Sequence, residues 1–514
     1  MQIVWFRRDL RVIDNEILSR AVHSGEGVLP CFIIDPWFYE QPDIAPLRIK
    51  FLLESLENLD HNLQILGSKL FLFEGQSFAI MQSLTKYLLE LGQSPTLLFN
   101  RDTQVNYGIS RDREILEFYE AQNLEVYLGK NHFIQDREDY NLIWQEYHNY
   151  QESLPNPKPK FVYTPQLNIE LSQLTIKQLW QKYCPQVQQL DKNFTGGEAE
   201  AKKTLTSFLQ GRYQGYHWKL SRPFLVQMGA TSRLSPHLKF GTISTRIVYQ
   251  ATKKRHSTLP PNSKLAFSLK AFLDRLRWHD KFTQRHYFHP ELAFKNRYPE
   301  FDRWYSDRDL TADKQELFLA WCLGKTGFPL VDAAMRQLNQ QGWMSFRMRA
   351  MCVSFLCING GVPWQHGANY FMSRLVDGDI AINHRQWQNQ AGITNPMSKT
   401  FRIYNPTKNW QEKDPRSQFV YYWLPELKPF TKEQILAGVH LSSNECDYPA
   451  PILDWRETRK VNGKIIANLR AEVRERLQAE AGEELEIALG TKKTVEKYFA
   501  AKERDYQQLP PFDS

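Results

Sequence analysis

Residues 375–387 read LVDGDIAINHRQW. Two carboxylates, Asp377 and Asp379, stand one residue apart, with the amide Asn383 and the indole Trp387 following at four-residue steps. The surrounding sequence is otherwise apolar, and charged or amide groups in such surroundings must be paired or hydrogen-bonded. The stretch lies in a region that is almost wholly of helical period from Gly196 onward. Within it, FPLVDAAMRQL at 328–338 places Val331, Ala334, Met335 and Leu338 on one helical face, just after a proline suited to the first turn. Beyond it, Gly463 to about Arg504 is charged, favours helix and reads as a terminal extension.

Toward the N-terminus the pattern changes. Short apolar runs at Ile3–Phe6, Val28–Ile34, Lys69–Phe73, Thr96–Phe99 and Leu124–Leu128 read as buried strands. Pro46–Leu66, Ala79–Leu91 and Ile109–Gln122 carry apolar residues at helical spacing between them. Such alternation predicts a Rossmann-like α/β domain with a parallel sheet over 1–130. No GxGxxG follows any strand, so no dinucleotide-binding turn is signalled. Residues 131–195, with NPKPK at 156–160, read as an interdomain connector with some local helix. An all-α domain over 196–461 and a helical extension over 462–514 complete the organisation. A chain of 514 residues exceeds what one core supports, which agrees with more than one domain.

Composition excludes several classes. Six cysteines with no CxxC pair argue for a reducing compartment and against zinc or iron–sulfur clusters. No signal peptide or membrane-spanning apolar run is present, so a cytoplasmic protein is expected. The net charge of +8 fits a nucleic-acid surface without demanding one. Fourteen tryptophans suit either stacking on flat ligands or a large core.

Four motifs carry chemistry. ATSRLSPHLKFG at 230–241 supplies the hydroxyls of Thr231, Ser232 and Ser235, with Ser235–Pro236 read as an N-cap before a first-turn proline; helix capping and a phosphate site both fit. GKT at 324–326 lacks the upstream glycine of a nucleotide loop, since position 319 is Leu319, and reads as a turn. In GWMSFRMRAM at 342–351, Arg349 suits pairing with Asp377, which ranks above a metal because no further acidic residues cluster there. In LDRLRWHDKFTQRHYFH, Trp278 stands among Arg275, Arg277, His279, Lys281, Arg285 and His286. This mixture suits nucleobases and phosphates, or equally a solvated basic helix with one buried indole.

The set resembles the photolyase/cryptochrome family from Trp5 to about residue 461. The resemblance rests on WFRRDLRVIDN at 5–15, GGEAEA at 196–201, ATSRLSPHLKFG, WCLGKTGFPLVDAAMRQL at 321–338, GWM at 342–344, LVDGDIA at 375–381 and FRIYNP at 401–406. It implies an α/β antenna domain and a helical domain holding folded FAD. By position, Tyr216, Thr231, Ser232, Leu234 and Ser235 would hold the FAD phosphates and ribityl chain. Arg349 would pair with Asp377 beside the isoalloxazine, Asp379 would bond the flavin's polar edge, and Asn383 would face N5. Trp387 and Trp364 match the first two tryptophans of the family's electron-transfer chain; the third position is Thr311, leaving Trp304 or Trp321 as substitutes. Trp278 and Arg347 match lesion contacts. Where cyclobutane-dimer photolyases have Glu, Asn, Met and a second Trp, this chain has Arg275, Phe346, Ala350 and Asn389. The His pair of (6-4) enzymes is replaced by Ser345 and Phe346, and an Arg after the flavin-binding Tyr by Leu220.

The resemblance therefore implies blue-light-driven repair of pyrimidine dimers in UV-damaged DNA. The alternative is a cryptochrome-like photoreceptor acting through a signalling partner. No nicotinamide site supports a dark oxidoreductase. An antenna pigment, deazaflavin or folate, is implied near DIAPLRIKFL at 43–52 and FNRDTQ at 99–104.

Overall fold

The computed structural model describes residues 1–101, 106–129, 143–169, 171, 173–186, 189–190, 193–306, 310–398, 400–442 and 446–489. Its N-terminal part is a parallel sheet of β1 (Gln2–Trp5), β2 (Val28–Ile34), β3 (Phe71–Glu74), β4 (Thr96–Asn100) and β5 (Val126–Gly129), in the order β3-β2-β1-β4-β5. Each strand begins or ends within two residues of the sequence reading. Both faces are covered: Ile3, Trp5, Cys31 and Ile33 enter one core, while Val4, Phe6, Phe32 and Ile34 enter another. That double burial is why the strands read as continuous apolar runs. The helices Pro46–Ile65, Ser77–Glu90 and Asn106–Ala121 fall where periodicity places them. A shorter helix, Glu16–His23, is additional; Asn15 caps it by accepting from Leu18 N at 3.1 Å.

The helix Pro46–Ile65 forms the seam with the helical part. Phe51, Leu52 and Leu56 share a core with Phe240, Trp343 and Val376. Arg48, 7% exposed, donates through Nε to Leu375 O at 3.1 Å and through Nη2 to Met372 O. Its guanidinium fills the space that a side chain at Gly378 would need. Burial lowers the Arg48 pKa to about 10. Of the residues suggested for an antenna pocket, Arg48 is thus used in domain docking, while Lys50 pairs with Glu54 on its own helix and donates to Phe194 O of the connector. Phe99 and Asn100 are buried in the sheet, and 102–104 lie outside the described residues.

The remainder is helical. Phe328 precedes the helix Pro329–Gln341, whose first turn contains Pro329. The GKT segment is a turn: Gly324 ends the helix Ala312–Leu323 at φ 64°, and Thr326 Oγ1 donates to Asp332 Oδ1 at 2.7 Å. One reading needs correction. Ser235 is not an N-cap, because the helix Ser235–Phe240 begins with it and Leu234 occupies the cap position. The charged segment from 462 is helical through Leu489. It continues the helix Trp455–Leu489, whose Ile466, Leu469 and Val473 are buried in the main helical core. Residues 490–514 lie outside the description. Among the described residues no helix is long and apolar enough to cross a membrane.

Candidate functional site

A cavity of about 660 Å³ opens between the helices Lys264–Phe288, Phe346–Ser354 and Ile380–Gln390. This lies within the several-hundred-Å³ range of cofactor pockets. Each helix contributes one face. On Phe346–Ser354 the lining residues are Phe346, Arg349, Ala350 and Val353, the i, i+3, i+4, i+7 pattern of a single stripe. Arg347 lies off that stripe. It is 6% exposed, does not line the cavity, and its guanidinium carbon is 5.6 Å from the Tyr404 ring. Helix phase sets Arg347, expected as a lesion contact, behind the lining and against Tyr404, which itself lines the cavity.

The floor is built around the 375–387 stretch. Arg349 Nη2 donates to both Asp377 oxygens at 2.9 Å, and its Nε donates to Met344 O at 3.0 Å. Asp379 caps the helix Ile380–Gln390, with Oδ1 accepting from Ile382 N at 3.3 Å. Its Oδ2 lies 3.6 Å from Arg8 Nη1 and from Lys239 Nζ. Arg8, from the loop after β1, is a floor residue that sequence reasoning did not single out, although it stands in WFRRDLR. Asn383 Nδ2 donates to Ala368 O at 3.1 Å, which leaves its Oδ1 as an acceptor for the cavity it lines.

Tyr216, Thr231, Ser232 and Ser235 form the adjoining wall. Ser235 Oγ accepts from Trp343 Nε1 at 3.3 Å. Thr231 Oγ1 is buried with no hydrogen-bond partner, which a bound polar group would supply. Leu234 is fully buried in the core beside Tyr216 and does not line the cavity. Its side chain is core packing, not lining. With a paired carboxylate floor, an orphaned hydroxyl and sufficient volume, these residues fit FAD.

Trp387, 1% exposed, lines the cavity and passes behind it. Its ring is 4.9 Å from Phe371 and 6.0 Å from Trp321, measured between centroids. Gly367 has no side chain where the Trp387 ring comes closest. Trp364, one helical turn before Gly367, is fully buried outside the cavity; it faces His384 at 5.8 Å and donates to Asn296 Oδ1 at 2.7 Å. Trp321 in turn lies 5.8 Å from Tyr370. Trp304 has no ring contact with Trp364 or Trp387 and packs near Gly361 and Lys314.

The mouth is basic. Over the whole cavity nine lining residues are cationic against the two carboxylates Asp377 and Asp379; with Arg349 and Lys239 engaged on the floor, the other seven (Arg233, Arg275, Lys281, Arg285, Arg385, Arg402 and Arg470) lie outside it. Burial lowers the Arg275 pKa. Trp278, Phe346 and Asn389 also line it. The Trp278 Nε1 and Gln386 Oε1 atoms are buried there without hydrogen-bond partners. Gln386, Arg402 and Arg470 carried no signal in the sequence reading; the helical phase of Gln386 with Asn383 could have revealed the first.

Residues 2–150 match the family described as DNA photolyase, and residues 272–468 match the FAD binding domain of DNA photolyase. A deoxyribodipyrimidine photo-lyase of Streptomyces griseus is 30% identical over 89% of this chain and 96% of its own length. The cryptochrome DASH of Synechocystis sp. is 29% identical, covering 90% and 97%. A class III photolyase crystal structure from Agrobacterium tumefaciens superposes with a TM-score of 0.76 at 27% identity, covering 91% and 98%. The chain belongs to the photolyase/cryptochrome family, with the family's FAD-binding helical domain.

Proposed function

We propose that the protein is a blue-light-driven, FAD-dependent photolyase acting on pyrimidine dimers in UV-damaged DNA. The observation that carries this reading is the charge of the cavity lining: nine cations against two carboxylates, although the whole chain has a net charge of only +8. A polyanion is the ligand such a lining attracts. The cavity can take a flipped-out base into contact with Trp278, whose indole N–H awaits an acceptor. When bound, reduced and excited FAD supplies the electron that opens the dimer. Arg349 and Asp377 would orient it, Asp379 would meet its polar edge, and the Asn383 carbonyl would face its centre. Trp387 would relay electrons outward to Trp321 or Trp364. A second chromophore, deazaflavin or folate, would serve as antenna in the N-terminal domain.

The test is to incubate the reduced, flavin-loaded protein with dimer-containing oligonucleotides, single- and double-stranded, under blue light and in darkness. Light-dependent loss of dimers is expected. Its absence on both substrates overturns the assignment and favours a photoreceptor that signals without repair.

A further inference from the structure

The loop 391–398 walls one side of the mouth and is held by the C-terminal helix. Arg470, 3% exposed, donates through Nη1 to Gly392 O at 2.6 Å and Thr394 O at 2.7 Å. Its Nη2 donates to Asn395 O and, at 3.0 Å, to Ser398 O. Arg474 Nη1 adds Pro396 O at 2.9 Å. A guanidinium with five fixed N–H donors is suited to gathering several carbonyls, and a buried one requires them. Arg470 lies two residues beyond the end of the matched FAD-binding segment.

The held loop orients a neighbouring amide. Thr394 Oγ1 donates to Asn389 Oδ1 at 2.7 Å, so Asn389 is left with its NH₂ as the free function. Gln386 is three residues earlier on the same helix, a spacing that puts both side chains on one face. Its Oε1 is the orphaned acceptor of the mouth. A donor beside an acceptor complements an imide edge, where a ring N–H adjoins a carbonyl, as in thymine.

We propose that Asn389 and Gln386 read the imide edge of a pyrimidine by hydrogen bonding, with Arg470 as the residue that positions their wall. Asn389 Nδ2 donates to the base carbonyl, and Gln386 Oε1 accepts from the ring N–H. Recognition by hydrogen-bonding amides thus stands where an aromatic wall would stack. This rests on the photolyase reading.

The experiment measures dark binding of flavin-loaded protein to oligothymidylate with and without one thymine dimer. Wild type is expected to prefer the damaged strand. Asn389→Ala, Gln386→Leu and Thr394→Val should each reduce that preference roughly five- to tenfold, the worth of one net hydrogen bond. Affinity for the undamaged strand, measured alongside, is the reference for that preference. Arg470→Met should lose the preference while retaining flavin absorbance; Thr394→Val keeps the test valid if that variant does not fold. Variants that discriminate as well as wild type overturn this inference and leave the photolyase reading standing. A wild type that binds both strands equally overturns both.

Discussion

The floor and the mouth of the cavity are built on opposite terms. On the floor the charged groups satisfy one another, Asp377 with Arg349 and Asp379 with Arg8, Lys239 and Ile382 N, while Asn383, held to Ala368 O through its Nδ2, keeps its Oδ1 for the cavity. At the mouth, by contrast, Trp278 Nε1 and Gln386 Oε1 have no partner, and cations far outnumber carboxylates. A self-satisfied site is preorganised for a resident group, whereas an unsatisfied one is completed only by what binds. The difference shows that one continuous cavity can hold a permanent ligand and a transient one.

The sharpest way to break this contrast is Asp377→Leu. Removing one partner of a buried ion pair costs about 3–5 kcal/mol, and Arg349 is only partly exposed, at 24%. FAD retention is expected to fall about 100-fold, read from flavin absorbance after gel filtration. A mouth substitution should leave that absorbance intact.

Acid should act at the seam, where His237 packs against Phe51. His237, in the short helix beside Ser235, is held by burial at a pKa of about 4, below the ordinary imidazole value of about 6.5. Below pH 6.5 the unfolded chain takes up a proton that the folded state refuses, so stability falls as pH drops from about 6.5 to about 4 and then levels. The loss from this group is on the order of 3 kcal/mol. Denaturant titrations across that window should show it, and His237→Gln should remove its share, leaving that of His384, which burial holds at about 3.

The way out of the floor can be dissected next. Trp387→Phe should slow light-driven reduction of bound flavin at least roughly tenfold. Trp321→Phe and Trp364→Phe should each have a partial effect, and the double variant should match Trp387→Phe. Transient absorption decides, and an unchanged yield in the double variant removes both routes. The smallest effect is expected at the rim: Arg402→Gln should weaken DNA binding and reduce the slope of log K against log salt by about 0.9 on duplex, with flavin content unchanged.

Much of the floor was legible because its chemistry is local and specific. Arg349 and Asp377 could be paired from residue type alone, and the buried strands of the sheet announce themselves as apolar runs. Arg347 and Arg349 look equivalent in sequence, and only helix phase separates them, one lining the cavity and one set behind it against the lining residue Tyr404. Ser235 was misread by one position because a serine before proline is a good cap whether or not it is used as one. Arg470 was illegible for another reason. Its partners are backbone carbonyls, which carry no sequence signature, and it lies on a helix that looks like a charged, solvated tail.

Arg48 carries a practical consequence. Through it, a helix of the sheet domain supplies donors to carbonyls at the edge of the stretch that would carry the flavin, and Arg8 reaches Asp379 from the same side. A helical half expressed alone would lose both cations and expose the apolar seam around Trp343 and Val376. Engineers seeking a minimal flavoprotein from this scaffold should therefore keep both halves, because the shorter gene would encode a half-finished binding site.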